Sequence, residues 1–178
     1  MDSNYGHLQS LVNNDSTTDC TEWASADDIH CTDSSQNTFH SGCDAHTGTV
    51  VIGHNSLGFT FGGFGQASWQ CAPPCSSGYD HDYASEAVGD FLFRLGPGAG
   101  PVAYRPTGGD TNYQGRNPGA WPTWGHYGYD LAFGISGALG QGNAYCIQGT
   151  TYAGEPNDAC GAGNWGATEM EVWYRVGS

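Results

Sequence analysis

The sequence contains no lysine, and its four basic residues are all arginines: Arg94, Arg105, Arg116 and Arg175. Asp and Glu together number 18, so the formal net charge is -14 at pH 7. Binding to phosphates needs clustered Lys and Arg, and the composition therefore argues against nucleic acid and against anionic membranes as partners. An acidic surface of this kind repels its own copies unless cations lie between the carboxylates.

Long hydrophobic runs are also missing, and no apolar stretch approaches the length that crosses a membrane. The polar start of the chain, Met1 to Tyr5, lacks the basic residue and apolar centre of a signal peptide. For a secreted protein we therefore expect the leader to have been removed from this chain. No internal repeat or linker is present, so the 178 residues predict one domain with a sizeable core.

Glycine (29 residues) and aromatic side chains (13%) favour short strands, tight turns and close packing over helices. The stretch from Thr38 to Trp69 predicts a hairpin, because the apolar runs Thr49–Ile52 and Phe59–Phe61 flank a segment with turn residues. Further strands are predicted at Phe91–Leu95, Val102–Tyr104, Tyr129–Phe133, Tyr145–Ile147 and Thr168–Val176. In the last of these, Met170, Val172, Tyr174 and Val176 share one face.

A series of motifs occurs in order along the chain: Phe39-His40-x-x-Cys43-Asp44, the Thr49–Ile52 strand, the Phe-Gly-Gly-Phe and Ser-Trp69 segments, Asp90–Leu95, Trp124–Leu131, Tyr152–Gly154 and Glu169–Trp173. Together these motifs resemble the TLDc domain family. The resemblance covers roughly residues 38–176. It implies a two-sheet antiparallel β-sandwich with a few short helices, here with long Gly-rich loops, and no settled enzymatic activity. Intracellular members of the family are linked to oxidation resistance and to the proton-pumping ATPase. The loop Gln70–Ala84 is longer here than in those members.

Seven cysteines without paired C-x-x-C spacing indicate disulfides and an oxidising compartment. The resemblance implies that Cys43 is a buried thiol, because intracellular members carry it without a bridge. Among the many pairings of the other six we favour Cys71–Cys75, Cys146–Cys160 and Cys20–Cys31.

Residues 1–37 form a polar extension before the domain at 38–178. Asn14 begins a glycosylation sequon, and Glu22–Ile29 predicts a short helix with Trp23 inward. An arm that pairs with a neighbouring subunit is one interpretation of the first dozen residues, and a frayed terminus is the usual alternative. The apolar residues of that arm are Tyr5, Leu8, Leu11 and Val12.

Oxygen-rich loops predict candidate calcium ligands at Asp80, Asp82, Glu155 and Asp158, although solvated acidic loops are the commoner case. Aromatic residues could form a platform for sugar rings, or they could fill the core, which is somewhat more usual. These residues are Trp121, Trp124, Tyr127 and Trp165.

No catalytic constellation stands out. There is no Gly-x-Ser-x-Gly motif, a pairing of His40 with Cys43 fits inert packing better than catalysis, and Glu169 and Glu171 fit an outward acidic row. We therefore expect a non-catalytic, secreted β-sandwich that assembles with itself as part of a surface fibre, sheath or matrix. Possible cations at its acidic loops are the only cofactor expected. A carbohydrate-binding module is the first alternative, and a hydrolase is the second.

Overall fold

The structure is a computed structural model. It describes residues 23–25, 36–71, 83–84, 89–96, 100–108, 113–116, 119–125, 130–134, 144–146, 149, 151–155, 157–162 and 164–175. Within these ranges the elements are β1 (Trp23–Ser25), α1 (Gln36–Cys43), β2 (Thr49–Asn55), β3 (Thr60–Gly65), β4 (Tyr83–Ala84), β5 (Phe91–Gly96), β6 (Val102–Tyr104), β7 (Gln114–Gly115), β8 (Thr123–Trp124), β9 (Leu131–Ala132), β10 (Ala144–Tyr145), β11 (Asn164–Trp165) and β12 (Ala167–Arg175).

Two antiparallel sheets contain all of these strands, which confirms the predicted β-sandwich class. The first sheet has the order β1-β12-β2-β3-β5-β6, and the second has the order β11-β10-β9-β8-β7-β4. The strands of the second sheet are only two residues long, because Gly and Pro residues repeatedly interrupt this part of the sequence. Among the described residues there is one short helix, α1.

The predicted hairpin is confirmed as the β2–β3 pair. Its turn is held by Asn55, whose side-chain Oδ1 accepts hydrogen bonds from the backbone N–H groups of Leu57 (3.1 Å) and Phe59 (3.0 Å). Gly58 follows with a φ of 83°, a conformation that costs a glycine little. The predicted strands at β5, β6 and β12 are also present. Of the strand expected at Tyr129–Phe133 the structure has β9, and the strand expected at Tyr145–Ile147 shares only Tyr145 with β10; Tyr129 and Ile147 lie outside the described residues.

The main core lies between the two sheets and is rich in aromatic rings. Val51, Phe61 and Leu92 of the first sheet face Trp124 and Phe133 of the second. Gly63 allows this approach, because a Cβ atom there would lie 2.7 Å from the Trp124 indole. The predicted alternation of β12 also holds, since Met170 and Val172 belong to this core.

Helix α1 was not predicted from the sequence. Phe39 and Cys43 are four residues apart and therefore lie on one helix face, which is buried in the core between the sheets. The edge of the Phe39 ring packs against Trp69 at a centroid distance of 5.3 Å. Burial of these two side chains fixes the helix against the sandwich, although its other residues are mostly polar.

The short helix predicted at Glu22–Ile29 is wrong at Trp23–Ser25, and the rest of that stretch lies outside the described residues. Trp23–Ser25 is the edge strand β1, paired with Tyr174 and its neighbours on β12. The exposed backbone N–H and C=O groups of β12 are satisfied by this pairing, and such tertiary hydrogen bonds outweigh a weak local helix preference. The predicted extension thus contributes a strand to the first sheet, while its boundary at residue 37 stays a prediction.

Candidate functional site

The first polar cluster is centred on His40 of α1. Its ring Nδ1 lies 2.7 Å from the Asp44 carboxylate, and its Nε2 donates to the backbone carbonyl of Ala120 at 2.8 Å. Both neighbours are acceptors, so the protonated imidazolium satisfies both contacts at once. The Ser68 hydroxyl donates to the backbone carbonyl of Asp44 at 2.6 Å. The cluster joins α1 to the segment before β8 and to the loop after β3.

The second polar cluster, which we name the Arg94 brace, consists of Arg94, Tyr104 and Asp158. Arg94 on β5 donates to the Asp158 carboxylate at 2.8 Å and to the Asp158 backbone carbonyl at 2.9 Å. The Tyr104 hydroxyl donates to the other carboxylate oxygen at 2.9 Å. Burial, and secondly this hydrogen bond to Asp158, raise the pKa of Tyr104. The phenol is therefore a stable hydrogen-bond donor at neutral pH.

The loop that carries Asp158 is held at further points. Asn55 Nδ2 donates to the backbone carbonyl of Cys160 at 2.8 Å, and Cys160 is bonded to Cys146. Asn157 adopts a φ of 69°, in the left-handed region. The N–H of Gly161 donates to the Asn157 carbonyl at 2.7 Å and closes this tight turn. The loop is thereby fastened to the β2–β3 turn, to β5 and to β10.

A third hydrogen-bonded carboxylate, Asp130, is fully buried and lies just before β9. Its two oxygens accept hydrogen bonds from the backbone N–H groups of Thr151 (2.9 Å) and Tyr152 (3.4 Å). The Tyr152 hydroxyl donates to the backbone carbonyl of Tyr113 at 3.0 Å, and burial strongly raises the pKa of this phenol. Asp130 thus orders the chain after β10 by satisfying backbone donors.

The cysteines follow the prediction where the structure describes them. Cys146 and Cys160 form a disulfide across 14 residues, and both are fully buried. Cys71 is also in a disulfide, and its partner lies outside the described residues. Cys43 is a buried cysteine that forms no disulfide, as expected. Cys20, Cys31 and Cys75 lie outside the described residues, so their predicted pairings are untested.

The predicted calcium ligands are not brought together in the described part of the chain. Glu155 is exposed, and Asp158 is held by Arg94 and Tyr104 on its two separate oxygens. Asp80 and Asp82 lie outside the described residues. No group of three or more acidic, His or Cys side chains with metal-binding geometry occurs among the residues that the structure describes. Calcium binding stays a prediction.

The predicted aromatic platform is largely inside the protein. Trp121, Trp124 and Trp165 are at most 5% exposed and belong to the main core, where Trp165 packs edge-on against Phe61 with ring centroids 4.6 Å apart. This burial favours the interpretation that the indoles fill the sandwich. Tyr127, the fourth residue of the platform, lies outside the described residues.

Two pairs of residues were considered as catalytic groups, Glu169 with Glu171 and His40 with Cys43. Glu171 accepts a hydrogen bond from the indole N–H of Trp173 at 3.3 Å, on the side of β12 that faces away from the core. Glu169 lies on the same strand, opposite His54 of β2 in the register. His40 and Cys43 are neighbours on α1, but His40 is directed to Asp44 and Ala120. Asn14 and the arm residues Tyr5, Leu8, Leu11 and Val12 lie outside the described residues.

Sequence reasoning did not assign a role to Arg94 or Tyr104. A signal was nevertheless present for Arg94, since it occupies an inward position of an otherwise apolar strand between Phe93 and Leu95. A buried guanidinium requires an acceptor, so its position implies a carboxylate partner. No spacing rule identifies that partner as Asp158, which is 64 residues away.

The geometry defines a class of protein first: an antiparallel β-sandwich whose loops are held to its sheets by a disulfide and by hydrogen-bonded carboxylates. The comparisons then give the family. The family model of the TLDc domain matches residues 2–175, nearly the whole chain, and the protein belongs to the TLDc domain family. A search of curated proteins finds no match. Among the described residues, no helix has the length and apolar character to cross a membrane.

Proposed function

We propose that this TLDc domain is an extracellular structural protein that acts by binding, above all to copies of itself, and has no catalytic role. The carrying observation is that the reactive types of side chain are engaged in structural contacts. His40 bonds to Asp44 and to a backbone carbonyl, while Asp158 is held by Arg94 and Tyr104. Groups fixed in this way stabilise loops, and a stable scaffold is what an assembly subunit needs.

The disulfide bonds of the protein support the extracellular part of the proposal. The buried Cys146–Cys160 bridge and the disulfide of Cys71 are both expected in an oxidising compartment and rare in the cytosol. The complete absence of lysine also distinguishes this chain from typical cytosolic proteins, and it therefore supports an extracellular location as well. Measuring the protein's mass in native form, before and after reduction, tests this part, because titratable thiols at most of the seven cysteines would contradict it.

The self-assembly part of the proposal combines the apolar arm at Tyr5–Val12 with the acidity of the chain. A net charge of -14 opposes association, so divalent cations at exposed carboxylates such as Glu155 would favour it. Asp80 and Asp82 are the other proposed cation ligands. The arm would supply the apolar contact between copies.

Light scattering and electron microscopy of the purified, oxidised protein test assembly directly. We expect oligomers or fibres whose amount rises with calcium and falls with a chelator. The Leu8→Asp/Leu11→Asp variant should assemble less, whereas a Thr17→Asp/Thr18→Asp variant adds the same charge without removing apolar side chains and serves as the matched control. Monomers at every concentration, with calcium and with chelator, would contradict the proposal.

A further inference from the structure

The first sheet has a second apolar cluster on the side that faces away from the sandwich core, which we call the outer face. Along β5, Leu92 points into the core while its neighbours Phe91 and Phe93 point to the outer face. The alternation on β2 likewise places Val50 outward and Val51 inward. The buried members of the outer cluster are Val50, Phe64, Phe91, Phe93 and Leu95.

This outer cluster is nearly as well buried as the main core, since its members are at most 8% exposed and those of the main core at most 5%. Val50 is 1% exposed, Phe91 is 2% exposed and Phe93 is 0% exposed. A side chain that stands on a sheet face reaches such values only when something lies over it, because its neighbours in the sheet shield it only from the sides. Another part of the chain must therefore cover the outer face.

The described residues around the cluster do not form such a cover. Ile52, Ala103 and Trp173 pack against it, but each lies in a strand of the same sheet. The Arg105 guanidinium lies 5.2 Å from the centre of the Phe91 ring, and Arg105 directly follows β6. These described contacts come from strands of the sheet itself and from the residue that follows β6, where the guanidinium lies over one ring, and they do not form a separate layer above the cluster.

Position, length and composition select residues 1–22 among those ranges. They lead directly into β1, an edge strand of this same sheet. An extended chain of this length reaches about 70 Å at about 3.3 Å per residue, whereas six strands are only about 24 Å across at about 4.8 Å spacing. The segment also carries four apolar side chains that suit an apolar face: Tyr5, Leu8, Leu11 and Val12.

The other long stretches have different connections. Residues 72–82 lead from Cys71 to β4 in the second sheet, and residues 26–35 lead from β1 into α1, whose Phe39 belongs to the core between the sheets. Residues 135–143 lead from β9 to β10, both in the second sheet, and residues 97–99 are only three in number. None of these has both a link to the outer face and the apolar content to cover it.

We propose that the outer face of the first sheet is the docking surface for the N-terminal segment, residues 1–22. The sandwich then has a third layer. The inference deepens the proposed function and rests on it in one respect: during assembly, the outer face of one copy receives the arm of a neighbouring copy in place of its own. The arm of one copy and the outer face of the next would then together form the contact between copies.

Photo-crosslinking in the full-length, oxidised protein tests the docking. A benzoylphenylalanine in place of Leu11 should crosslink to peptides that contain Val50, Ile52, Phe91 or Phe93. The same probe in place of Leu57, which is 54% exposed in the β2–β3 turn, is the matched control and should not reach this face. Absence of crosslinks from position 11 to these peptides, or crosslinks to the second sheet instead, would overturn the docking proposal.

Mixing protein labelled with heavy nitrogen and unlabelled protein before irradiation separates docking from assembly. Crosslinked pairs of mixed isotope content show that the arm binds a neighbouring copy and support both proposals. Pairs of uniform isotope content from a protein that stays monomeric support docking within one chain and contradict the self-assembly function. The docking inference and the proposed function can therefore fail independently.

Discussion

Replacing Arg94 with methionine removes the central contact between the first sheet and the disulfide loop. Methionine keeps the unbranched stem of arginine, which packs along the core, and eliminates the guanidinium. Asp158 then loses hydrogen bonds of 2.8 Å to its carboxylate and 2.9 Å to its backbone carbonyl. Among the described residues, only the Tyr104 hydroxyl then remains to stabilise the carboxylate charge. We expect the protein to fold but to be less stable.

The magnitude follows from the exposure of the two partners. The Arg94 side chain is 13% exposed and that of Asp158 is 38% exposed, so solvent screens the carboxylate in part. Breaking a fully buried pair costs about 3–5 kcal/mol and an exposed pair is worth about 0–1 kcal/mol, which places the expected loss at about 2 kcal/mol. For a chain of this size that corresponds to a fall in Tm of about 4–8 °C.

Urea unfolding of four proteins measures the effect: wild type, Arg94→Met, Asp158→Asn and the double variant. Asparagine retains the shape of Asp158 without its charge, so the cycle isolates the charge-dependent coupling, which we expect at about 1–2 kcal/mol. Arg105→Met is the control, since that exposed arginine has the ring of Phe91 as its described contact, worth about 0.5–1 kcal/mol. A coupling near zero, with Arg94→Met no worse than the control, would refute the role of this ion pair.

Three further predictions use the same unfolding assay. Replacing both Cys146 and Cys160 with alanine opens a loop of 14 residues and should cost about 3 kcal/mol; a loss below about 1 kcal/mol would contradict a stabilising bridge. Gly63→Ala should cost about 1–3 kcal/mol or more, because its Cβ meets a packed indole at 2.7 Å, whereas Gly96→Ala, with no atom within 4 Å, should be nearly neutral; equal effects would contradict the packing argument. The raised pKa of Tyr104 leaves stability unaffected below pH 10.0, and above that value the unfolded phenol ionises while the folded one stays protonated, so stability should fall as pH rises. Tyr104→Phe should make this alkaline fall less steep, and an unchanged slope would count against the raised pKa.

Much of the first sheet could be predicted from the sequence because its strands carry local signals. Thr49–Ile52 and Phe91–Leu95 are dense in β-branched or aromatic residues, and the closing strand alternates strictly around Met170 and Val172. The two-residue strands of the second sheet carry too few residues for any periodicity. Trp23–Ser25 was mispredicted because its strand depends on the unpaired edge of β12, a partner distant in sequence.

The polar contacts of the candidate site could not be predicted for a related reason. Asp158 is a plausible cation ligand from its neighbours Glu155 and Asn157, and only the fold shows that Arg94 already supplies its positive charge. The role of the aromatic residues could not be predicted for the same reason, since the composition around Trp121 and Trp124 fits a sugar-binding site or a core equally well. Burial decides between these possibilities, and burial depends on contacts between distant segments.

The high contents of glycine and of aromatic residues have one physical cause in this fold. A sheet that packs large rings on both faces has little room for side chains between them. On β3, a Cβ at Gly63 would meet the Trp124 indole on the core side. A Cβ at Gly62 would first meet the backbone oxygen of Val51 on β2, and it would also lie 2.8 Å from the Phe93 ring on the outer side. The lack of a side chain at Gly63 therefore leaves room on the core face of β3, and the lack of one at Gly62 leaves room on the opposite face. The close approach of β2 at Gly62 and the rings on both faces of β3 therefore leave no room for a side chain at either position. The burial of Phe91 and Phe93 on the outer face agrees with this packing, and it is the burial that the proposed docking of residues 1–22 would explain.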